Sequence, residues 1–252
     1  MTNEYIDSGW IPEPQMEVDG KYSGNFTSFS LTDGPIFLGF PGMLVFDQGN
    51  SNTCTSHAVL AAMQIIRHKQ DLDPVENSRL FLHYNSLKRL NRLNTNSGIP
   101  ISTALSSIKE EGVCLEKNWP YILQRLAVVP EKLCYEDAIN YRLLEFEGVA
   151  QNANSIKHAM TDGYPLVFGV YLFPNYQAKE VTESGIVKIP EPGTNWFDRH
   201  AVAAIGFEGD YVIFQNSRSG NWGDKGFGRI PFEYLVNPKW AGNFFALTKV
   251  SL

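Results

Sequence analysis

Asp47-Gln48-Gly49-Asn50-Ser51-Asn52-Thr53-Cys54-Thr55-Ser56-His57-Ala58-Val59-Leu60-Ala61-Ala62-Met63-Gln64-Ile65-Ile66 changes character at its middle. Before Cys54 the Gly, Asn and Ser residues spell a polar loop. After it the chain is apolar almost all round through residues 58–66, the pattern of a helix buried on every side. The helix is expected from Cys54 to about Lys69. A thiol at a helix N-terminus faces unsatisfied N–H groups and the positive end of the macrodipole, and both favour the thiolate. Cys54 is therefore the first candidate nucleophile.

Working outward, helical patterns continue through the first half. Residues 78–91 place Leu80, Phe81, Tyr84, Leu87 and Leu90 at three- and four-residue steps, which predicts an amphipathic helix. Residues 102–111 begin with Ser102 and are followed by Gly112, cap chemistry for a third helix. After about residue 140 the periodicity turns to strands: 141–146, 166–173, 201–207, 211–216, 227–231 and 244–250, with one helix near 155–162. Glu208-Gly209-Asp210 supplies a turn between two of the strands. A helical half followed by a mostly antiparallel half is α+β, not an alternating βαβ layout. The first 45 residues, rich in Gly, Pro, Ser and Asp, read as an extended strap.

Composition removes several functions. Apolar residues make up 43% of the 252-residue chain, enough for a sizeable core and against wholesale disorder. A net charge of −6 argues against a nucleic-acid partner held by bulk electrostatics, because that needs a basic face. No apolar run approaches the ~18–20 residues that span a membrane. The N-terminus carries no secretory signal, so the default location is cytoplasmic, with export by a route that leaves no cleavable signal still open. Cys54, Cys114 and Cys134 are too few for a disulfide framework, and the latter two read as free buried thiols. No CxxC, HExxH or carboxylate cluster offers a metal site, and no glycine-rich phosphate loop occurs. Neither metal nor cofactor is expected. Oligomeric state is not readable.

Two residues could complete the chemistry of Cys54. His200 heads the strand expected at 201–207, and Asn216 ends the strand after the turn, so a hairpin would return it beside His200. An imidazole that takes the thiol proton, held by an amide that fixes its ring, is what an activated thiol requires. His57, three residues after Cys54, is a rival base.

These words together resemble the papain-like cysteine peptidases, in their bacterial-type branch. The resemblance is carried by Asp47-Gln48-Gly49 leading to Cys54, by His200-Ala201-Val202-Ala203-Ala204-Ile205-Gly206, and by Asn216-Ser217 followed by Trp222-Gly223 and Gly226. The stretches 77–85 and 112–121 support it, and it extends from about Trp10 to the C-terminus. It implies a two-lobed fold, a helical lobe (46–140) and an antiparallel β-barrel-like lobe (141–252), forming one peptidase domain with the 1–45 strap and a cleft between the lobes. It implies hydrolysis of peptide bonds in a peptide or protein substrate through an acyl-enzyme, with Cys54 as nucleophile, His200 as base then acid, and Asn216 as orienting amide. Gln48 would join the Cys54 N–H in an oxyanion hole. Ser97, Gly98, Ala201 and Trp222 would line the substrate cleft.

This chain also departs from the family's words. Ser51, Asn52 and Thr55 replace a Cys, a Gly and a Trp around the nucleophile. Arg199 precedes His200, and Arg218 stands where a Trp shields the His–Asn bond in the family; a guanidinium could cover the ring by stacking its plane, and two nearby cations could also lower the His200 pKa. With only 47 residues before Gln48 and no sustained helix in them, no inhibitory segment of the family's secreted type is expected, and activity would be limited by substrate access or delivery. Two other readings stay open: a peptide-binding module that has lost turnover, and acyl transfer to an amine.

Overall fold

The computed structural model describes residues 9–14, 22–23, 34–93 and 95–251. Most of the expected strap, including residues 1–8 and 24–33, lies outside the described residues. Among the described residues the order is β1 (Ile36–Phe37), α1 (Cys54–Lys69), α2 (Arg79–Arg89), α3 (Ile101–Glu110), α4 (Lys132–Ala138), β2 (Leu143–Gly148), α5 (Ala153–Thr161), β3 (Leu166–Leu172), α6 (Lys179–Ser184), β4 (Asp198–Glu208), β5 (Tyr211–Gln215), β6 (Phe227–Pro231), α7 (Phe232–Val236) and β7 (Ala241–Val250). None of the helices is long and apolar enough to cross a membrane.

The all-round apolar pattern of α1 has its consequence in the packing: every residue from Cys54 to Arg67 is buried. The helix lies between α2 and α3 on one side and the sheet on the other. The strands run antiparallel in the order β2-β7-β3-β4-β5-β6, with β1 added along β4. Side chains alternate across the pleat. Ala201, Ala203 and Ile205 of β4 meet α1 together with Val167, Phe245 and Leu247. Val202 and Ala204 point the other way, into a second core with Phe168, Phe214, Ile156 of α5 and Leu235 of α7.

Strand β4 sets up the site. Strand β3 pairs with it from Asp198 to Ala204, whereas β5 joins only from Ala203 to Glu208. The β5 side of residues 198–202 is therefore left without a strand, and the start of α1 lies against it.

Most expected elements form near their expected bounds. Helix α2 is capped as its sequence predicts, Ser78 accepting from the Phe81 N–H at 3.1 Å. Helix α3 instead begins after Pro100, and Ser102 donates its hydroxyl to Glu13 of the strap. Strand β4 starts three residues early, so His200 lies within it rather than ahead of it. Helices α4, α6 and α7 were not anticipated: they span seven, six and five residues, under two turns, too short for a helical period to register.

Candidate active site

The N-terminus of α1 delivers Cys54 to the open edge of β4, where the Ala201 backbone hydrogen-bonds its sulfur. His200 precedes Ala201 on the same strand. The β4–β5 hairpin, turned at residues 208–211, carries Asn216 back to it, and His200 Nε2 meets Asn216 Oδ1 at 2.8 Å. An amide oxygen only accepts, so Nε2 carries the proton and Nδ1 of the neutral ring keeps the lone pair. The amide itself is fixed from both ends. Asn216 Nδ2 donates to the Tyr176 hydroxyl at 3.1 Å, and Oδ1 also accepts from the Ser217 N–H at 2.9 Å.

Gln48 sits beneath this group, 3% exposed. Its Oε1 accepts from Ser217 Oγ at 2.6 Å, and its Nε2 donates to the Ser51 carbonyl at 2.6 Å. A primary amide has two N–H donors, so one remains for an incoming oxygen. Ser51, standing where the resembling family has a Cys, holds this loop with its hydroxyl: it donates to the Gln48 carbonyl at 2.8 Å and lies 2.8 Å from the Tyr121 hydroxyl. Tyr121 in turn donates to the same Gln48 carbonyl at 3.0 Å. Arg79, buried and paired with Glu116 at 3.0 Å, stacks over Phe46 and braces the loop from behind.

The electrostatics correct one expectation. Despite the helix terminus, the Cys54 thiol is pushed up to about 11, because burial outweighs the Ala201 hydrogen bond and the attraction of Arg218. His200 is pushed down to about 4, again chiefly by burial, with Arg218 adding to the shift and the Asn216 bond and Asp198 opposing it. In this closed form both groups rest neutral near pH 7. Of the two cations expected to act on His200, Arg218 does, and Arg199 is not among the causes of the shift. Nor does the missing Trp expose the pair: His200 and Asn216 are each 2% exposed. Trp222 stacks on Tyr176, which covers the amide, while Arg218 turns its guanidinium to the Gly49 carbonyl at 3.3 Å.

His57 is sealed behind the cleft. Its Nδ1 donates to the Thr53 carbonyl at 2.9 Å, and Phe46 and Tyr121 meet the ring edge to face. Cys114 and Cys134 are buried and free.

The cleft is where the structure departs furthest from the sequence reading. Gly9 and Trp10 of the strap lie in it. A Cβ on Gly9 would strike the Arg199 carbonyl and stand 3.4 Å from Cys54 Sγ, and a Cβ on Gly98 would strike the Gly9 carbonyl. Only glycine at both positions permits this approach. Trp10 bridges Ile99, and the Ile11 N–H donates to the Ile99 carbonyl at 3.3 Å. Gly98, expected to line the cleft, thus lies against this chain's own Gly9, and Ala201 belongs to the buried cluster that includes Trp10. Ser97, buried, bonds Thr95 at 3.0 Å. Trp222 lies on the other arm, in a groove of about 290 Å³ with Tyr176, Phe197, Asp198 and Arg218. Trp10, 1% exposed, was not read as a cleft residue.

A sequence model of the papain family cysteine proteases matches residues 43–235. The uncharacterized peptidase C1-like protein L477 of Acanthamoeba polyphaga mimivirus is 32% identical over 216 residues, covering 81% of this chain and 70% of that one. Among solved structures, xylellain, a cysteine protease from Xylella fastidiosa, superposes with a TM-score of 0.82 at 27% identity, over 98% of this chain and 96% of that one. Digestive procathepsin L 3 of the Tenebrio molitor larval midgut shares the fold, with a TM-score of 0.71 at 18% identity over 98% and 77% of the two chains.

Proposed function

Because the chain belongs to the papain family of cysteine proteases, we propose that it cleaves peptide bonds with Cys54 as nucleophile, His200 as base and then acid, and Asn216 as the orienting amide. It is a cysteine-type peptidase of α+β papain-like fold, and its substrates are peptides or proteins. On this reading residues 46–140 and 141–252 are the two lobes of one catalytic unit, strapped by residues 1–45.

The observation that carries the proposal is the buried 2.8 Å bond between His200 Nε2 and Asn216 Oδ1, one residue from the backbone that hydrogen-bonds Cys54 Sγ. That bond leaves the Nδ1 lone pair as the imidazole's only proton acceptor. The Cys54 S–H proton passes to it as sulfur attacks the scissile carbonyl carbon. The carbonyl π electrons move to oxygen, where the Cys54 N–H at the start of α1 and the second N–H of Gln48 meet the charge; donors of this kind contribute roughly 3–4 kcal/mol each. His200 then gives its proton to the departing amine, leaving a thioester on Cys54. Water, deprotonated by His200, attacks that thioester and releases the acid with the thiol restored.

The test is turnover of a fluorogenic peptide pool together with labelling by a thiol-directed epoxide. Cys54→Ala is expected to abolish both. His200→Ala should cut labelling sharply at neutral pH. Turnover that survives Cys54→Ala would overturn the proposal.

A further inference from the structure

We propose that Arg218 selects a carboxylate on the leaving-group side of the scissile bond, so that the chain prefers peptides with an acidic side chain, or a free C-terminus, just after the cleaved bond. The inference rests on the catalytic reading above and names the substrate class for that site.

The catalytic pair locates the leaving-group side. Gly9 and Trp10 take up one arm of the cleft, against Cys54 Sγ, the Arg199 carbonyl and Gly98. The other arm is the groove of about 290 Å³ walled by Tyr176, Phe197, Asp198, Arg218 and Trp222. It adjoins the amide that orients the base, since Asn216 Nδ2 donates to the Tyr176 hydroxyl and Trp222 stacks on Tyr176. His200 must reach the departing amine nitrogen to protonate it, so the chain beyond that nitrogen runs past this wall. Arg218 is close enough to the reacting atoms for its charge to draw both the Cys54 thiol and His200 downward.

Arg218 is built into the groove but left without an anion. Its backbone forms an antiparallel bridge to Asp47, which fixes its place on the wall. Its side chain is exposed, gives Nη1 to the Gly49 carbonyl at 3.3 Å, and makes no ion pair among the described residues. A guanidinium carries five N–H donors, so the Nε and Nη2 edge is left for a ligand. That edge is a planar fork that meets a carboxylate with two parallel bonds. Asp198 lines the same groove without neutralising it: its Oδ1 accepts the Arg199 N–H at 2.7 Å. Half-buried Asp198 opposes a second acidic residue, while a single carboxylate is met by the more exposed Arg218. The aromatic walls of Tyr176, Phe197 and Trp222 cover the stem of such a side chain and shield the pair in part from water.

A set of fluorogenic peptides with one acyl half tests this, each carrying Glu, Gln or Lys at the first or second position after the cleaved bond, with free or amidated C-termini. Because the pair is only partly shielded, kcat/KM for carboxylate over amide is expected to differ by about tenfold. A Glu-over-Gln preference in amidated peptides assigns an acidic side chain; a free-over-amidated preference at equal Glu and Gln assigns the C-terminal carboxylate. Either preference should shrink as salt is raised. It should vanish in Arg218→Gln, persist in part in Arg218→Lys, and give way to Lys over Glu in Arg218→Glu. Each ratio is taken within one variant, so a general change of rate through Cys54 and His200 cancels. No carboxylate preference of either kind, a wild-type preference for Lys, or a preference that Arg218→Gln leaves intact overturns the inference. Cleavage stopped by Cys54→Ala but indifferent to the carboxylate sinks this inference alone, whereas cleavage that survives Cys54→Ala sinks the catalytic reading beneath it.

Discussion

His200 and His57 are 2% and 1% exposed, and burial lowers both, to about 4 and about 3. By burial and acidity alone they are the same residue. They differ in which nitrogen is held. His57 gives its Nδ1 proton to the Thr53 carbonyl one turn back, within its own helix, and its ring is enclosed by Phe46 and Tyr121. His200 gives its Nε2 proton to Asn216, an amide brought from 16 residues away by a hairpin and itself fixed by Tyr176 and Ser217. Its free Nδ1 is on a strand whose next residue hydrogen-bonds the Cys54 sulfur. A shifted pKa therefore does not mark a base here; the placement of the second nitrogen does.

The largest effect that could break this contrast is on rate. His200→Ala should lower kcat by roughly 10⁴-fold or more, as removal of a base that acts as a unit with its nucleophile does. A loss below tenfold would move the base elsewhere, with His57 the first candidate. Gln48→Ala comes next, at about 10²–10³ in kcat with little change in KM, because its free N–H is used only when the carbonyl becomes an oxyanion. An increase in KM alone would show instead that Gln48 braces the loop through Ser51 and Ser217. Asn216→Ala should cost up to about 10²-fold, the scale of a misoriented but still present reacting group. It should also lower the apparent acidic pKa of kcat/KM, because the Asn216 bond is one of the contributions that hold the His200 pKa up.

The two histidines also show what the sequence made legible. The N-terminus of α1 and the turn at residues 208–211 are local signals, and they were enough to predict that Asn216 returns to His200. The state of Cys54 was not legible. A helix terminus is a local feature that favours thiolate, but Gly9 and Trp10 bury the sulfur from a distance of more than 40 residues in the chain, and desolvation wins. The strap's role was hidden for the same reason. Nothing periodic marks residues 9–11; what fixes them is Gly98, which was expected to line the cleft, and Gly169 and Gly242, which only the strand register places side by side. The start of β4 at Asp198 was missed because its first residues are polar, chosen by the cleft rather than by the core.

Acid sharpens the comparison through stability. His57, His83 and His200 all have folded pKa values, about 3, 4 and 4, below the unfolded value near 6.5. Groups depressed in this way contribute stability that is complete above about pH 6.5 and is lost as pH falls through 4, since only the unfolded chain takes up the protons readily. The thermal midpoint should fall steeply between pH 6.5 and 4; a flat profile over that window would contradict the buried, neutral assignment.

The smallest effect on rate should come from His57→Phe. Phenylalanine preserves the edge-to-face contacts with Phe46 and Tyr121. The Thr53 carbonyl is not orphaned, because it still accepts the residue-57 backbone N–H at 3.1 Å. Turnover at pH 7 is therefore expected within a few-fold of wild type, while the decline of the thermal midpoint toward pH 4 becomes shallower by the share that His57 held. The pair of readouts separates the roles cleanly: a residue that packs changes the acid stability and spares kcat, and a residue that moves the proton cannot. Should His57→Phe instead lower kcat by a hundredfold with its acid stability unchanged, the two imidazoles would have to exchange places, and the Asn216 bond would be read as a structural brace.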